Sequence, residues 1–320
     1  MGRAGPWRSA GGRWSWRRGR GAALLAAAAA ALLVRPGLLP DLPGRPGSLI
    51  EAFLPWLGLA VPPLAGWAVL RRSRTALCAA ALPVLAWTAA FGAFLLPRAE
   101  QPADLRAVQH NVADDNTDPA GTALALARTG ADLIAVEELT PAAAPAFTAA
   151  LGADYTHHAA AGTVALWSRH PLADPRPVDI RPAGVGEGWN RGLRATARTP
   201  HGDIAVYVAH LPSVRVGPLH GFDAARRDES AVLLGRALAA EPMDRVVLLG
   251  DLNATVDDRG IAPVVRRTGR PARDFAFSWP AALPAARIDH VLARGAEVTR
   301  LRTLPPTGSD HLPVAARIRF

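Results

Sequence analysis

The sequence predicts an α/β domain over residues 104–320, preceded by three membrane-spanning helices. Three observations carry that reading. Apolar residues crowd residues 1–103, where Ala, Leu, Trp and Pro dominate, and thin to an ordinary density afterwards. The second part alternates short β-rich runs with helical ones, the pattern of an α/β domain. The net charge of +9 also belongs entirely to the first part: twelve arginines there face Asp41, Glu51 and Glu100, whereas 24 arginines meet 24 carboxylates in the rest.

Residues 1–20 form a basic leader with Arg3, Arg8, Arg13, Arg17, Arg18 and Arg20. Apolar stretches follow at about 21–38, 48–70 and 75–97. A helix needs about 20 apolar residues to span a bilayer. The second and third stretches have 23 each; the first has 14 from Gly21 and reaches that length only by continuing past Arg35. Arginines flank the first stretch on its leading side and fill the turn at 71–74, while the 35–47 loop carries few. The positive-inside rule then puts the leader and the 71–74 turn in the cytoplasm and everything after residue 97 outside. The expected location is the cytoplasmic membrane, multi-pass, with residues 104–320 extracytoplasmic. Reading 21–34 as a cleaved signal core, with Arg17-Arg18 as a twin-arginine signal, leaves two spans and the same outward domain.

Charge and cysteine content exclude several classes. A neutral second half lacks the basic footprint of a nucleic-acid binder, so nucleic acid is not the favoured partner. All 36 basic residues are Arg, a bias of base composition. The single cysteine, Cys78, lies in an apolar stretch. A disulfide framework, a zinc–thiolate site and a catalytic thiol in residues 104–320 are thereby ruled out.

Within the second half, strands are expected at 105–112, 133–139, 163–168, 193–199, 204–211, 245–249, 287–293 and 312–318. Helices are expected at 122–129, 141–151 and 224–240. The Pro- and Gly-rich stretches 181–192 and 212–221 read as surface loops. Six strand ends turn abruptly polar: Asn111 in QHNV, Glu138 in VEEL, His210 in VAHL, Asp251 and Asn253 in LLGDLN, Asp289 in RID, and Asp310-His311 in GSDH. Sites form at strand ends in α/β domains. Each residue has a bland reading alone: an Asx turn for Asn111, a solvated end for Glu138, a structural role for His210, a turn or a cap for the aspartates. All six bland readings would have to hold together.

The whole set resembles the endonuclease/exonuclease/phosphatase superfamily, which includes DNase I-like nucleases, inositol phosphatases and bacterial sphingomyelinases. The likeness runs over about 104–320 in the family's motif order and ends in a full SDHxP match at Ser309-Asp310-His311-Leu312-Pro313. Leu252 stands where Phe is common, and Glu137 where Gln is common. The resemblance implies a four-layer α/β sandwich (DNase I-like) and a phosphoester hydrolase using Mg²⁺ or Mn²⁺. It implies Glu138 as principal metal ligand, with Asn111 and Asp310 close by. It further implies Asp251 and Asn253 on the attacking water and phosphate, His311 oriented by Asp289 as the acid–base group, and His210 as a donor to a phosphoryl or leaving-group oxygen. Arg191 and Arg226 or Arg227 are candidate substrate-phosphate contacts. Three spans ahead of such a domain, with DNTDP at 115–119 and VEELTP at 136–141, also resemble the VanJ-type membrane proteins linked to resistance to teicoplanin and related glycopeptides. That implies a membrane lipid or lipid-linked phosphate as substrate, such as undecaprenyl pyrophosphate, with a surface nuclease or sphingomyelinase-like phospholipase as the rival reading.

Overall fold

The computed structural model describes residues 14–40, 42–99, 101–217 and 221–320. Arg3, Arg8 and Arg13 of the basic leader, with Asp41 and Glu100, lie outside the described residues. The chain divides into two compact units, Met1–Leu39 with Leu54–Leu95 and Pro40–Phe53 with Leu96–Phe320.

The N-terminal part holds helices α1 (Arg20–Val34), α2 (Pro46–Ala52), α3 (Val61–Leu70) and α4 (Arg74–Phe91), of which α2 belongs to the second unit. In the first unit, Ala22 and Ala26 of α1 pack with Leu64 and Ala68 of α3 and Ala76 of α4, small side chains that let helix backbones approach closely. Ser73 caps α4 by accepting the Ala76 N–H at 3.1 Å.

The helices expected at about 21–38 and 48–70 do not run unbroken over those bounds. Among the described residues one helix, Arg74–Leu95, is by itself long and apolar enough to cross a membrane; Pro46–Ala52 and Leu54–Leu70 pass only if counted together as one broken span, and α1 is shorter. Sequence chemistry explains both corrections. Pro36 follows Arg35, so the first helix stops at Val34. The stretch expected at 48–70 breaks at Phe53, where Pro55, Pro62 and Pro63 deny backbone donors, leaving a 3₁₀ stretch Leu54–Ala60 between α2 and α3.

The second unit runs β1 (Leu105–Asn111), α5 (Pro119–Ala127), β2 (Leu133–Glu137), α6 (Ala144–Leu151), β3 (His157–Ala161), β4 (Val164–Ser168), β5 (Leu172–Pro177), β6 (Gly192–Thr199) and β7 (Gly202–Ala209). It continues with β8 (Arg215–Gly217), β9 (Gly221–Asp223), α7 (Ala225–Ala240), β10 (Val246–Asp251), α8 (Ala262–Val265), β11 (Asp289–Arg294), β12 (Glu297–Thr303) and β13 (Val314–Arg319). One sheet has the order β12-β13-β1-β2-β4-β3 and the other β11-β10-β7-β6-β5. The two sheets face each other across one apolar core that includes Leu105, Leu133, Val206, Val247 and Val314. Helices α5 and α6 cover the first sheet through Val108, Ile134, Leu126 and Phe147, and α7 and α8 cover the second through Tyr207, Leu248, Leu234 and Val264. This is the expected four-layer α/β sandwich.

Most expected elements form within a residue or two. Strands β3, β5 and β12 were not expected. β5 is largely exposed, so no alternating apolar signal marks it. The short pair β8–β9 forms at a stretch expected as loop. Strand β2 stops at Glu137, one residue before the polar end that had marked it.

Candidate active site

Strand geometry places the site. Successive side chains alternate between faces, so every second residue enters the space between the sheets. At one end of that space the apolar ladder is replaced by polar side chains. Ala107 is followed on its face by Gln109 and Asn111 on β1, Ala135 by Glu137 on β2, Val208 by His210 after β7, and Leu249 by Asp251 on β10; Asp289 precedes Val291 on β11. Parallel pairing of β1 with β2 sets Asn111 against Glu137, and antiparallel pairing of β10 with β11 sets Asp251 against Asp289. Three carboxyl groups, Glu137, Asp251 and Asp289, are thereby carried to one place by two sheets and three strands.

His311, from the loop before β13, meets Asp289 here: Nδ1 lies 2.8 Å from Asp289 Oδ2. Asp289 is fully buried, and Gln109 Nε2 donates to its other oxygen at 2.9 Å. Burial alone would lower the His311 pKa; the charges of Asp289 and Asp251 and the Asp289 hydrogen bond outweigh it and raise the ring to about 10. Burial likewise works to raise Asp289, but the His311 charge and hydrogen bond hold it below its ordinary 3.8. His311 is therefore an imidazolium at neutral pH, oriented by Asp289, with Nε2–H free of that pairing.

Asp251 lies between the two histidines. Its Oδ2 is 3.8 Å from His311 Nε2, 3.6 Å from His210 Nε2 and 3.1 Å from Asn111 Nδ2. Burial pushes its pKa well above the ordinary carboxylate value, partly offset by His311. Asn253 fixes the other oxygen, donating its backbone N–H to Asp251 Oδ1 at 2.9 Å, while its amide reaches Leu211 O at 2.9 Å. Asn253 itself adopts φ 49°, a left-handed conformation that Asn tolerates. The preceding Gly250 has φ 157°, and a Cβ there would sit 1.9 Å from the Ala209 carbonyl oxygen. Glycine is required because β7 and β10 approach this closely just where Asp251 begins.

Glu138 follows β2 in the left-handed region at φ 59°, a costly choice for a non-glycine residue and typical of functional positions. The turn lifts its carboxylate partly into solvent, 3.7 Å from His210 Nε2. His210 is buried, and burial, with Arg191 and His311 nearby, lowers its pKa to about 3, so its ring is neutral. Arg191 can only donate, and its Nη1 lies 3.2 Å from His210 Nδ1. The remaining hydrogen then sits on Nε2, aimed between Glu138 and Asp251. Arg191, stacked 5.2 Å over Trp189, brings a guanidinium to the same two carboxylates.

The expected residues do not all share this setting. Asn111, Glu138, His210, Asp251, Asn253, Asp289, His311 and Arg191 come together. Asp310 is two-thirds exposed and lies at the rim, with Oδ1 3.9 Å from His311 Nε2 and Oδ2 accepting from Trp279 Nε1 at 3.2 Å. Arg226 is an exposed residue of the first turn of α7. Arg227, expected to contact substrate, is buried instead: its Nη1 donates to the Asn253 carbonyl at 3.1 Å and its Nη2 is 2.9 Å from Asp258 Oδ2. Helical phase explains the correction, since Arg227 falls on the buried face of α7 with Ser230 and Leu234. Gln109 and Glu137 were missed as site residues. Glu137 is fully buried, accepts from Gln109 Nε2 at 2.6 Å, and is pushed up by burial first and by Asp289 second. The signal was available: both continue the inward period of β1 and β2.

The donor chemistry suits a hard divalent cation. Four carboxyl groups (Glu137, Glu138, Asp251, Asp289) and the Asn111 amide gather beside one imidazolium and one guanidinium, a concentration of oxygen donors. Asp251, Asp289 and His311 also present atoms within 4.8 Å of one another. The Asp289–His311 hydrogen bond already occupies those two groups, and the partly exposed Glu138, 3.7 Å from His210 Nε2, is a further carboxylate open to a cation.

Residues 108–311 match the endonuclease/exonuclease/phosphatase family. No curated protein matches the chain. Among solved structures, sphingomyelinase C from Streptomyces griseocarneus is 20% identical at a TM-score of 0.52, covering 68% of this chain and 99% of its own. A beta toxin mutant from Staphylococcus aureus with bound magnesium ions is 15% identical at 0.52, covering 67% and 99%. D. rerio TDP2 complexed with a single-strand DNA product is 16% identical at 0.54, covering 68% and 99%. At these identities the likeness establishes the fold.

Proposed function

The chain belongs to the endonuclease/exonuclease/phosphatase family, whose members are phosphoric ester hydrolases, and we propose that it hydrolyses a phosphate or pyrophosphate ester carried by a membrane lipid. The observation that carries the hydrolase reading is the opposition of the Asp289–His311 pair to Asp251, 3.8 Å from His311 Nε2, with His210 completing the rim. One face offers a proton acceptor and the other offers fixed N–H donors.

In this reading Asp251 Oδ2, its pKa raised by burial, takes the proton of the attacking water. Asn111 and Asn253 hold that carboxylate by hydrogen bonds at 3.1 and 2.9 Å. His311, already protonated, cannot serve as the base at neutral pH; its Nε2–H stabilises charge developing on the phosphoryl oxygens and supplies a proton to the leaving group. The neutral His210 donates from Nε2, and the Arg191 guanidinium compensates the phosphate charge. Glu138 and Asn111 would hold Mg²⁺ or Mn²⁺, which when bound would polarise a phosphoryl oxygen, and Asp251 stays available as the base. No covalent enzyme intermediate is needed.

The lipid substrate rests on the sequence. Apolar helices precede a domain with no net charge, and an enzyme tethered at a membrane meets headgroups at high effective concentration. We read the three apolar stretches as a membrane anchor, one of them as a broken span, with the hydrolase outside. An undecaprenyl pyrophosphate substrate and a part in teicoplanin-type resistance extend that proposal. The rival is a surface nuclease or a sphingomyelinase-like phospholipase.

Full-length protein with Mg²⁺ or EDTA is incubated with undecaprenyl pyrophosphate, sphingomyelin and plasmid DNA. Inorganic phosphate released from the prenyl substrate, Mg²⁺-dependent and lost in Glu138→Ala and His311→Ala, is expected. Nicked plasmid or phosphocholine release replaces the lipid-pyrophosphate reading with its rival. Turnover that survives either substitution removes the active-site assignment.

A further inference from the structure

Glu51 is the one carboxylate inside an apolar stretch that composition reads as a membrane span, and the structure shows it 2% exposed within the hydrolase unit. A buried charge persists only with a partner and full hydrogen bonding. Glu51 has both. Arg259 donates to it from Nε at 2.9 and 3.0 Å and from Nη2 at 2.7 Å, and adds its backbone N–H at 3.0 Å. Thr255 Oγ1 also donates to the Glu51 backbone carbonyl at 3.3 Å.

A second attachment lies seven residues or less along the same segment. Arg45 pairs with Asp228, whose Oδ1 accepts Arg227 Nε at 2.7 Å. The Gly44 carbonyl accepts the Phe222 N–H at 2.9 Å. A Cβ on Gly221 would fall 2.4 Å from Gly44 Cα, so this contact requires glycine. Ala52 and Phe53 pack with Val214, Phe222 and Ala224.

Both attachments lead to the same loop. Arg227 joins Asp228 to the Asn253 carbonyl and to Asp258, and Asp258 caps the turn that carries Arg259 by accepting the Gly260 N–H at 2.8 Å. Residues 253–259 therefore hang between Asp251, which they orient through Asn253, and the 40–53 segment. The left-handed Asn253 is held on its amide side by Asp251 and Leu211, and Arg227 grips its carbonyl from the other side.

We propose that residues 40–53, which lead from one apolar helix into the next, are the outer brace of the catalytic loop, with Glu51 and Arg45 as positioning residues for Asp251 and Asn253. The proposal rests on reading Asp251 and Asn253 as catalytic. The physical logic is preorganisation: the water-activating carboxylate is held by a backbone whose far side is tied down by the Glu51–Arg259 and Arg45–Asp228–Arg227 contacts. Hydrolysis then depends on the segment that enters the apolar helices, and not only on residues 96–320.

The test uses full-length protein in detergent, comparing Glu51→Gln, Arg259→Gln, the double variant and Arg45→Ala with the wild type. Hydrogen exchange is read at amides 253–259 and, as a control, in β2; turnover is measured on whichever phosphoester the wild type hydrolyses. Glu51→Gln is expected to accelerate exchange in 253–259 about tenfold, the scale of a lost charged hydrogen bond, with β2 unchanged. The value of kcat falls by a similar factor at unchanged KM, because orientation of Asp251 is lost and binding is not. The double variant loses no more than the worse single one, since both remove one contact. Arg45→Ala, which removes a half-buried partner, gives a smaller change in the same amides. Unchanged exchange in 253–259 overturns the proposal, as does a rise equal to that in β2, which marks general unfolding. Accelerated exchange in the variants, together with a wild type that hydrolyses none of the substrates, upholds the brace and overturns the catalytic reading instead.

Discussion

Asp289→Asn isolates the proposed division of labour most sharply. The substitution preserves shape and removes one charge at a fully buried position 2.8 Å from His311 Nδ1. With the His311 pKa at about 10, about one ring in a thousand is neutral at pH 7. Removing Asp289 deletes the largest influence raising that value, along with its hydrogen bond, and leaves burial opposed chiefly by Asp251. The pKa moves back toward 6.5, where about a quarter of the rings carry charge at pH 7. Orientation suffers as well. Gln109 Nε2 donates to Asp289 Oδ1, so an amide at 289 keeps its oxygen toward Gln109 and turns its NH₂ toward His311. That NH₂ makes Nδ1 an acceptor and drives the ring neutral. Loss of a positioned acid is expected to lower kcat by about 10²–10⁴-fold. The alkaline limb of the pH–rate profile should also move from near 10 to near 6.5. Rates on the cleaved phosphoester from pH 5 to 10 provide the assay, with imidazole NMR of His311 as the direct readout. A variant within about threefold of wild type, with its alkaline limb unmoved, refutes the assignment of His311 as an Asp289-held imidazolium.

Glu137→Gln is expected to stabilise the protein by about 1 kcal/mol or more, because it removes a buried carboxylate while Gln109 keeps an acceptor. A carboxyl whose folded pKa is raised costs stability increasingly as pH climbs above 4.5, so the gain in urea midpoint should be larger at pH 8 than at pH 5; a loss of stability or of Mg²⁺ affinity would count against a structural role. Gly250→Ala should destabilise by about 3 kcal/mol and abolish turnover, since its Cβ collides with the Ala209 carbonyl; a urea midpoint within error of wild type would contradict the close approach. The His311–Asp289 pair should set the pH range of greatest stability. His311, raised, stabilises fully below 6.5 and loses that contribution as pH rises toward 10. Asp289, lowered, stabilises above 3.8 and loses its contribution as pH falls below that value. The difference in urea midpoint between wild type and His311→Ala should therefore shrink between pH 6 and pH 10, and a constant difference would exclude the linkage.

The α/β class and the polar strand ends were legible in the linear chain because both follow from a period. Alternation along β1, β7 and β10 is local, and a polar residue closing an apolar run is visible without knowing its neighbour. Asn111, His210, Asp251 and Asp289 could be picked out that way. Gln109 and Glu137 obey the same period, but each sits one or two residues before the polar strand end, where the sequence alone gives it no distinct chemistry. Composition likewise separated the apolar first part, with its excess charge, from the neutral remainder. It could not show where a helix breaks under three prolines.

Other features depend on residues far apart in the chain. Whether Arg227 meets substrate or the Asn253 carbonyl depends on which face of α7 is covered, and β10 and the loop beyond it decide that. Glu51 is the one charge in its apolar stretch, and its partner, Arg259, lies over two hundred residues away in the chain. The protonation state of His311 belongs to the same class, because it depends on the approach of β11 and the loop before β13. Local periodicity could thus establish the α/β class and most of the candidate side chains. Their charge states and supports arise from burial and electrostatic pairing, which exist only once the two sheets have closed on each other.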